Sequence, residues 1–396
     1  MSPQLFYSNF DFEYQLRAGY RPTPRLKRLN EELAFCWLAL AEEEDQVLLE
    51  HSPEPEFLAH LEHARLPCPR FITKTSQINA QRLTPWGWSK PAQDFARQQG
   101  FTDLLPDVDS VERVNNRHWC FDFEKNSPDN RKVLWRFHTL SGIRELILEN
   151  FGENEGWIVK LPLGMSGRDQ LRGEGNQLTD AQACWINKRA DGEEWLIFER
   201  RLACIQELGV QFQVHRRPLT QRPPDNVELI EIVPMLADRN GRYAGSWLLD
   251  PDKVRADWST VVEKFDDTRS LAFSEYFGPV GIDVMQYRDS EGSLAMRYYQ
   301  DVNARYTMGR LALGWRRYLN PGEVGCWLHL SHRCTTREEL EDWWGVRTEP
   351  LHGNCRLIRT SPLWHAGEIV RHQTGLLIAE SESIAREQVQ RILLAG

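Results

Sequence analysis

Hydrophobic and polar residues follow two different periods along the first hundred positions. Helical spacing, with apolar residues three or four apart, occurs in LKRLNEELAFCWLALA, in PEFLAHLEHARL and in the second half of PWGWSKPAQDFARQQG. The short apolar run DQVLLE between the first two is typical of a buried strand. Alternating helices and strands predict an α/β layer. No GxGxxG motif is present, so the dinucleotide-binding fingerprint is absent.

A second unit, richer in strands, begins near Val111. The runs EGWIVKLP, EEWLIFERRL, GVQFQVH and NVELIEIVPML predict strands, and the Asn-Gly pair at 240–241 predicts a hairpin turn. The Asp-Pro-Asp sequence at 250–252 opens one long helical pattern, DKVRADWSTVVEKFDDTRSLAFSEYFG. Two strands, VGIDVMQYRD and LAMRYYQDVNARY, are joined by the turn SEG and followed by the helical pattern TMGRLALGWRRYL.

The tail from Pro321 has further strand signals and ends in a polar helix, ESIAREQVQRILL. These changes in pattern predict three domains, at 1–110, 111–320 and 321–396. They contain no internal repeats, and the whole chain is predicted to be of mixed α/β (α+β) class.

Composition narrows the class of protein. The formal net charge of −9 over 396 residues argues against general binding to nucleic acids. No stretch approaches the ~20 apolar residues of a membrane span, and the N-terminus lacks the basic start and apolar core of a signal peptide. A cytoplasmic protein with no nucleic-acid or membrane partner is therefore expected.

Cysteine and histidine residues cluster near the C-terminus. The eight cysteines of the chain include no CxxC pair, which is typical of reduced thiols. The cluster comprises Cys326, His329, His332, Cys334, His352 and Cys355. These residue types bind zinc, but GEVGCWLHLSHRC alternates like a strand, so its members do not converge on one point. Buried thiols and ordinary histidines are the favoured interpretation.

The glycine-containing stretch KLPLGMSGRD follows an apolar strand. Lys160 ends that strand, where its ammonium group can lie near phosphates. Gly164, Ser166 and Gly167 allow backbone N–H groups to approach an anion, and Arg168 adds a positive charge. The lysine precedes the glycines and no Gly-Lys-Ser/Thr follows, so this is not a P-loop.

The strand pair VGIDVMQYRD and LAMRYYQDVNARY carries a second candidate site. Asp301 and Asn303 are two residues apart and share one face of a strand, and Asp283 lies on the partner strand. If the strands pair closely, two carboxylates and an amide oxygen converge beside Arg305. Oxygen ligands of this kind suit Mg²⁺. Turn chemistry or a salt bridge at the strand end would explain the same residues.

Together these motifs resemble the ATP-grasp superfamily of carboxylate–amine and carboxylate–thiol ligases. The resemblance covers about Val111 to Leu319 and lies in WIVKLPLGMSGR, WLIFERRL, ELGVQF, GPVGIDVMQYRD and QDVNARYTMG. It implies a Rossmann-like N-terminal domain followed by an ATP-grasp fold, in which the nucleotide lies between two α+β subdomains. Residues 140–215 would form the glycine-loop lid, and 321–396 would be a C-terminal α/β extension packed on the core.

The resemblance also implies roles for residues that bind the nucleotide. Lys160 corresponds to a lysine that contacts phosphates, and the loop from Gly164 to Arg168, with Ser166 and Gly167, to a mobile cover. Glu199 corresponds to an acid at the adenine-reading hinge, and Glu207 to an acid near the ribose or the metal. The family often has another phosphate-binding lysine near VNNRHW, for which Arg117 is the candidate here.

For the metal and the substrate, the resemblance implies a further set of roles. Asp283 corresponds to the first metal-binding carboxylate, and Asp301 and Asn303 to the second carboxylate and its amide partner. Arg305 corresponds to the arginine that steadies the acceptor carboxylate or its acyl phosphate. Two residues depart from the pattern of the family. Asp301 stands where the family more often has glutamate. Gly209 stands where serine is common in the family, and this second departure weakens the role assigned to Glu207.

An ATP-grasp protein of this type would join a small carboxylate to an amine through an acyl phosphate, with release of ADP and phosphate. The implied cofactors are ATP and Mg²⁺, with Mn²⁺ as an alternative. The substrates would be metabolites, amino acids or peptides. Alternatives are a carboxylate kinase, a ligase with a thiol or hydroxyl acceptor, and a nucleotide-binding protein without catalysis. The oligomeric state is open, with a homodimer as one option.

Arg310, Arg316 and Arg317 are candidates for binding an acidic substrate, although a solvated helix face is favoured for the last two.

Overall fold

Three main β-sheets organise the protein, and each is covered by helices. The structure is a computed structural model, and it describes residues 2–73, 77–125, 133–165, 169–190, 195–216, 226–239, 241–266, 273, 275–349, 351 and 354–394. Mixed α/β architecture is confirmed, with one parallel sheet at the N-terminus and antiparallel sheets after it.

The N-terminal sheet is parallel, as the alternation of helices and strands predicts. Its strands, in the spatial order β3-β2-β1-β4, are β1 (Gln4–Tyr7), β2 (Gln46–Leu48), β3 (Arg70–Ile72) and β4 (Arg82–Pro85). The helices are α1 (Phe12–Gln15), α2 (Pro24–Leu33), α3 (Pro55–His63) and α4 (Lys90–Gln98), with a 3₁₀ helix at Ala34–Ala39. Thr23 and Ser89 are the N-cap residues of α2 and α4, and their side chains accept hydrogen bonds from backbone N–H groups in the first turn, which in both helices contains a proline.

Two short helices, α5 (Val108–Asn115) and α6 (Arg117–Glu124), lead into a small antiparallel sheet. Its strands, ordered β5-β8-β6-β7, are β5 (Leu134–Phe137), β6 (Gly156–Lys160), β7 (Gln170–Glu174) and β8 (Leu196–Arg200). The helices α7 (Leu140–Asn150) and α8 (Asp180–Ala190) complete the unit. Trp157, Phe198 and Ile147 belong to a core separate from that of the rest of the protein. This separate core makes the unit a compact lobe, which we call the lid.

The largest sheet has eight antiparallel strands in the order β13-β12-β9-β10-β11-β14-β18-β15. They are β9 (Ala203–Val214), β10 (Val227–Ala237), β11 (Tyr243–Leu248), β12 (Gly278–Arg288), β13 (Leu294–Asn303), β14 (Val324–Ser331), β15 (Cys355–Arg359) and β18 (His372–Ala379). A two-stranded ribbon consists of β16 (Trp364–His365) and β17 (Glu368–Ile369). Strands of the tail thus continue the sheet that starts at β9, and the division into domains at 110 and 320 stays a prediction.

In the described part of the chain, five α-helices accompany the large sheet. They are α9 (Pro251–Asp257), α10 (Ser259–Asp266), α11 (Met308–Gly314), α12 (Arg337–Thr348) and α13 (Glu382–Leu394), with a 3₁₀ helix at Trp315–Tyr318. The single long helix predicted after Asp250 is wrong, because the backbone leaves the helical region at Trp258. The break redirects α10 so that Phe265 packs on Phe212 of β9. Residues 267–272, in the remainder of that predicted helix, lie outside the described residues, as does Asn240 of the predicted hairpin.

The C-terminal cysteines and histidines form no metal site in the part of the chain that the structure describes. Cys326 and His329 lie three apart on β14, so they face opposite sides of the sheet. His332 bonds through Nε2 to the carbonyl of Val370, and all eight cysteines are free thiols. His352 lies outside the described residues. Among the described residues, no helix is long and apolar enough to cross a membrane.

Candidate active site

The register of three neighbouring strands brings the predicted metal-binding residues together. Asp283 of β12 lies opposite Asp301 of β13 on one side and opposite Gly209 of β9 on the other. Asn303 lies opposite Gly281, and its Nδ2 is 3.4 Å from Oδ2 of Asp283. Paired strands present opposed residues on the same face, so two carboxylates and an amide share one face of the sheet.

Negative charge in this group is incompletely balanced. Burial, and to a smaller extent the carboxylates of Asp301 and Glu207, raise the pKa of Asp283 to about 7, against a smaller opposite effect of Arg305 and Asn303. Glu207 of β9 accepts a hydrogen bond from Nε2 of Gln300 at 3.2 Å. Among the described residues, no three acids, histidines or cysteines are arranged to hold a metal ion by themselves, so a cation beside these carboxylates would need further ligands such as phosphate oxygens and water.

Arg117, the candidate for a second phosphate-binding residue, contacts one of the predicted metal ligands. Its Nη2 lies 2.7 Å from Oδ2 of Asp301, and its Nη1 donates to the carbonyl of Leu161 at 2.8 Å. Nη2 also donates to the carbonyl of Gly164 at 3.2 Å. The arginine therefore links the helix α6, the start of the glycine loop and the carboxylate group.

Lys160 and Glu199, predicted at the nucleotide site, form a buried ion pair. Nζ of Lys160, at the end of β6, lies 2.8 Å from Oε2 of Glu199, at the end of β8. Arg297 of β13 bonds to both oxygens of Glu199 at 3.1 Å and to Glu124 of α6 at 2.6 and 2.8 Å. Burial raises the pKa of Glu199, but Arg297 and Lys160 outweigh this and lower it to about 2.

These four residues, the ion quartet Lys160–Glu199–Arg297–Glu124, join three parts of the protein. Lys160 and Glu199 come from the lid, Arg297 from the large sheet, and Glu124 from the helix between them. The side chains of Arg297, Glu124 and Glu199 are 3, 1 and 4% exposed. The quartet therefore sets how the lid sits on the sheet, and sequence reasoning missed two of its members, Arg297 and Glu124.

Arg305, predicted to steady the acceptor, is held in a fixed position at the end of β13. Its Nε donates to Oε1 of Glu13 at 2.7 Å, and its Nη2 donates to Oδ1 of Asn303 at 2.9 Å. The guanidinium also lies over the ring of Trp86, 5.3 Å from the centroid. Glu13, from helix α1 of the N-terminal layer, is a further residue that the sequence did not point to.

Comparisons with known proteins give matches only at the level of structure. No family model matches the chain, and no curated protein matches it. Among solved structures, N5-carboxyaminoimidazole synthase from Aspergillus clavatus, in complex with ADP and 5-aminoimidazole ribonucleotide, shares 10% identity over 99% of this chain and 98% of the other, with a TM-score of 0.54. The chain has the ATP-grasp fold.

Two further structures agree over nearly the whole length. N5-carboxyaminoimidazole synthetase from Staphylococcus aureus, complexed with ADP, has 10% identity over 100% of this chain and 97% of the other, with a TM-score of 0.52. The biotin carboxylase domain of the Hydrogenobacter thermophilus 2-oxoglutarate carboxylase, in complex with MgADP, ADP and bicarbonate, has 11% identity over 98% and 89%, also at 0.52. At such low identity the likeness establishes the ATP-grasp fold, and the roles of individual residues have to be argued from their contacts.

The glycine loop of this ATP-grasp fold is described only at its two ends. A Cβ at Gly164 would lie 3.0 Å from Nη1 of Arg117, so the bare backbone is what allows the arginine to approach. Ser166, Gly167 and Arg168 lie outside the described residues, and their predicted contact with phosphate stays a prediction. Gly209 contacts the neighbouring side chain, because a Cβ there would lie 2.8 Å from Nε2 of Gln211. A serine at 209 would require Gln211 to move.

Proposed function

We propose that this protein is an ATP-dependent carboxylate–amine ligase that acts through an acyl phosphate on a small metabolite, amino acid or peptide. The observation that carries the proposal is the strand register that places Asp283, Asp301 and Glu207 on one sheet face. Burial first, and the two neighbouring carboxylates second, raise the pKa of Asp283 to about 7. Such a group calls for a cation, and Mg²⁺ accompanies ATP in phosphoryl-transfer sites.

The residues present fit a magnesium ion that is completed by phosphate oxygens and water. Mg²⁺ in nucleotide sites is typically held through one or two carboxylates, and Asp283 and Asp301 supply two. Asn303 would add an amide oxygen only if its side chain turned, because its Nδ2 faces Asp283 and its Oδ1 accepts a hydrogen bond from Arg305. Mn²⁺ would suit the same oxygen ligands. When bound, Mg-ATP supplies the phosphoryl group and neutralises part of its charge. Nη2 of Arg117 lies 2.7 Å from Oδ2 of Asp301. The guanidinium is therefore next to the proposed metal ligand, where it can also bind a phosphate oxygen of the nucleotide.

Each remaining residue of the site has a role that follows from its position. Lys160 places an ammonium group at the end of β6, just before the glycine loop, where Glu199 holds it in a fixed orientation. Glu207 lies beside the carboxylate group and can accept a hydrogen bond from a ribose hydroxyl. Arg305 is oriented by Glu13 and Asn303 to bind the carboxylate that is to be activated. The lid would exclude water from the acyl phosphate, which water would otherwise hydrolyse.

The structures that share this fold support the reaction class. Two of them are N5-carboxyaminoimidazole synthase and synthetase enzymes with ADP, and a third contains MgADP and bicarbonate. The proposed reaction requires this chain to bind a nucleotide together with a small carboxylic or carbonic acid.

A screen for phosphate release tests the proposal. Pairs of small carboxylates and amines, including amino acids, are incubated with the protein and Mg-ATP, and the carboxylate of any active pair is then labelled with ¹⁸O. We expect release that requires both partners, stops on addition of EDTA, and transfers one ¹⁸O atom to the released phosphate. Release without the label would contradict an acyl phosphate, and nucleotide binding with no turnover for any pair would indicate a protein without catalysis.

A further inference from the structure

Three arginines follow the candidate active site, and the structure separates one of them from the other two. Arg316 bonds to Oε2 of Glu231 at 2.9 Å. Arg317 pairs with Glu42 and donates to the carbonyl of Ala41 at 2.8 Å. Arg310 forms no ion pair with any carboxylate in the part of the chain that the structure describes. The charges of the first two are therefore satisfied within the protein, whereas that of Arg310 is not.

The guanidinium of Arg310 is also poorly provided with hydrogen-bond acceptors. Its Nη1 is buried and has no partner among the described residues. Within the described ranges, its Nη2 has one hydrogen-bond acceptor, Oε1 of Gln213 at 3.5 Å. Burial lowers the pKa of Arg310 from its ordinary value, against smaller opposite effects of Tyr306 and Glu228. A partly buried guanidinium in this state bears a desolvation cost that an anion would offset.

Strand register places Arg310 at one end of the sheet face that carries the candidate active site. Gln213 and Gln211 are two apart on β9 and lie on the same face as Gly209, which opposes Asp283. Gln211 accepts a hydrogen bond from Thr307 Oγ1 at 2.7 Å, and Thr307 Oγ1 in turn accepts the backbone N–H of Arg310 at 3.1 Å. The arginine thus lies beyond the carboxylates of Asp283 and Asp301, on the side where β13 ends and Arg305 follows.

We propose that Arg310 binds a second anionic group of the substrate, a phosphate or a carboxylate, separate from the carboxylate that is activated. The inference rests on the proposed function and specifies the substrates further. Either one substrate carries two acidic groups, of which one is activated, or the activated acid is a carbonate and the other substrate carries an acidic group. The two N–H groups of Nη1, which have no partner among the described residues, and those of Nη2 match the paired oxygens of such an anion. Phosphate and carboxylate share this chemistry, so the test has an arm for each.

The test uses the full chain saturated with Mg²⁺ and a non-hydrolysable ATP analogue, so that the nucleotide's own phosphate positions are filled. Inorganic phosphate and, separately, acetate are titrated by calorimetry at constant ionic strength into the wild type, Arg310→Gln, Arg310→Lys and Arg317→Gln. We expect one of the two anions to bind the wild type, with affinity lower by about tenfold or more in Arg310→Gln. The anion affinity of Arg310→Lys should lie between those of the wild type and Arg310→Gln, and that of Arg317→Gln should be within about twofold of the wild type.

The affinity for the ATP analogue, measured for all four proteins, distinguishes a failure of the role proposed for Arg310 from a failure of the proposed function. Equal analogue affinity shows that the variants are folded and that the nucleotide site is intact. With the analogue bound, an unchanged anion affinity in Arg310→Gln, or no binding of either anion to the wild type, would overturn the role of Arg310. Failure of the analogue to bind the wild type would instead contradict the proposed function.

Discussion

Asp283→Asn is expected to lower ATP turnover by about 10³-fold without lowering the stability of the protein. A metal ion contributes several kcal/mol to the transition state, and about 4 kcal/mol corresponds to this factor. Stability should be unchanged or higher at pH 8, because asparagine removes a charge that burial and two neighbouring carboxylates oppose. The two readouts are steady-state phosphate release with the active substrate pair and the midpoint of urea unfolding.

Glu291→Gln is the matched control for this prediction. Glu291 is an exposed acid in the turn that joins the same two strands, so losing its charge should alter turnover by about twofold at most. Retained turnover in Asp283→Asn would show that this carboxylate holds no metal. A variant that loses both turnover and stability would show that Asp283 has a structural role instead.

Arg297→Met is expected to reduce the free energy of unfolding by about 3–5 kcal/mol. Removing one partner of a buried ion group leaves the others uncompensated, and here Glu124 and Glu199 would lose their common cation at 1 and 4% exposure. Because the quartet joins the lid to the large sheet, nucleotide affinity should fall as well. Urea unfolding and binding of the ATP analogue measure the two effects.

A surface arginine and a compensating change provide the controls for Arg297. Arg337 pairs with Glu341 one helical turn away, with both side chains about half exposed, and Arg337→Ala should cost less than about 1 kcal/mol. Adding Glu124→Gln to Arg297→Met should restore part of the lost stability, since it removes the carboxylate that loses its cation, whereas Glu199 keeps Lys160. A cost for Arg297→Met no larger than that of Arg337→Ala would show that the quartet contributes little.

Local pattern was sufficient to predict the elements that carry the candidate site. The alternation in VGIDVMQYRD and LAMRYYQDVNARY predicted two paired strands, and the register does place Asp283 opposite Asp301. The long helix after Asp250 could not be predicted correctly, because its break at Trp258 depends on how Phe265 packs against the distant strand β9.

Contacts between residues far apart in the chain could not be predicted from the sequence. Arg297 bonds to Glu124, 173 positions away, and Arg305 to Glu13, 292 positions away. The sequence held one indication of the first contact, namely Arg297 in the middle of the predicted strand LAMRYYQDVN. A buried arginine requires an acidic partner, so this position indicated that such a partner exists. The partner itself depends on how the three sheets pack, which no local pattern records.

Calorimetry of a non-hydrolysable ATP analogue, with and without Mg²⁺, shows whether this protein uses Mg-ATP through Asp283. We expect the wild type to bind the analogue in the presence of Mg²⁺. We also expect the affinity for the analogue to fall by about tenfold or more when Mg²⁺ is chelated, and to fall similarly in Asp283→Asn with Mg²⁺ present. Absence of binding, or an affinity that neither chelation nor Asp283→Asn changes, would contradict this use of Mg-ATP.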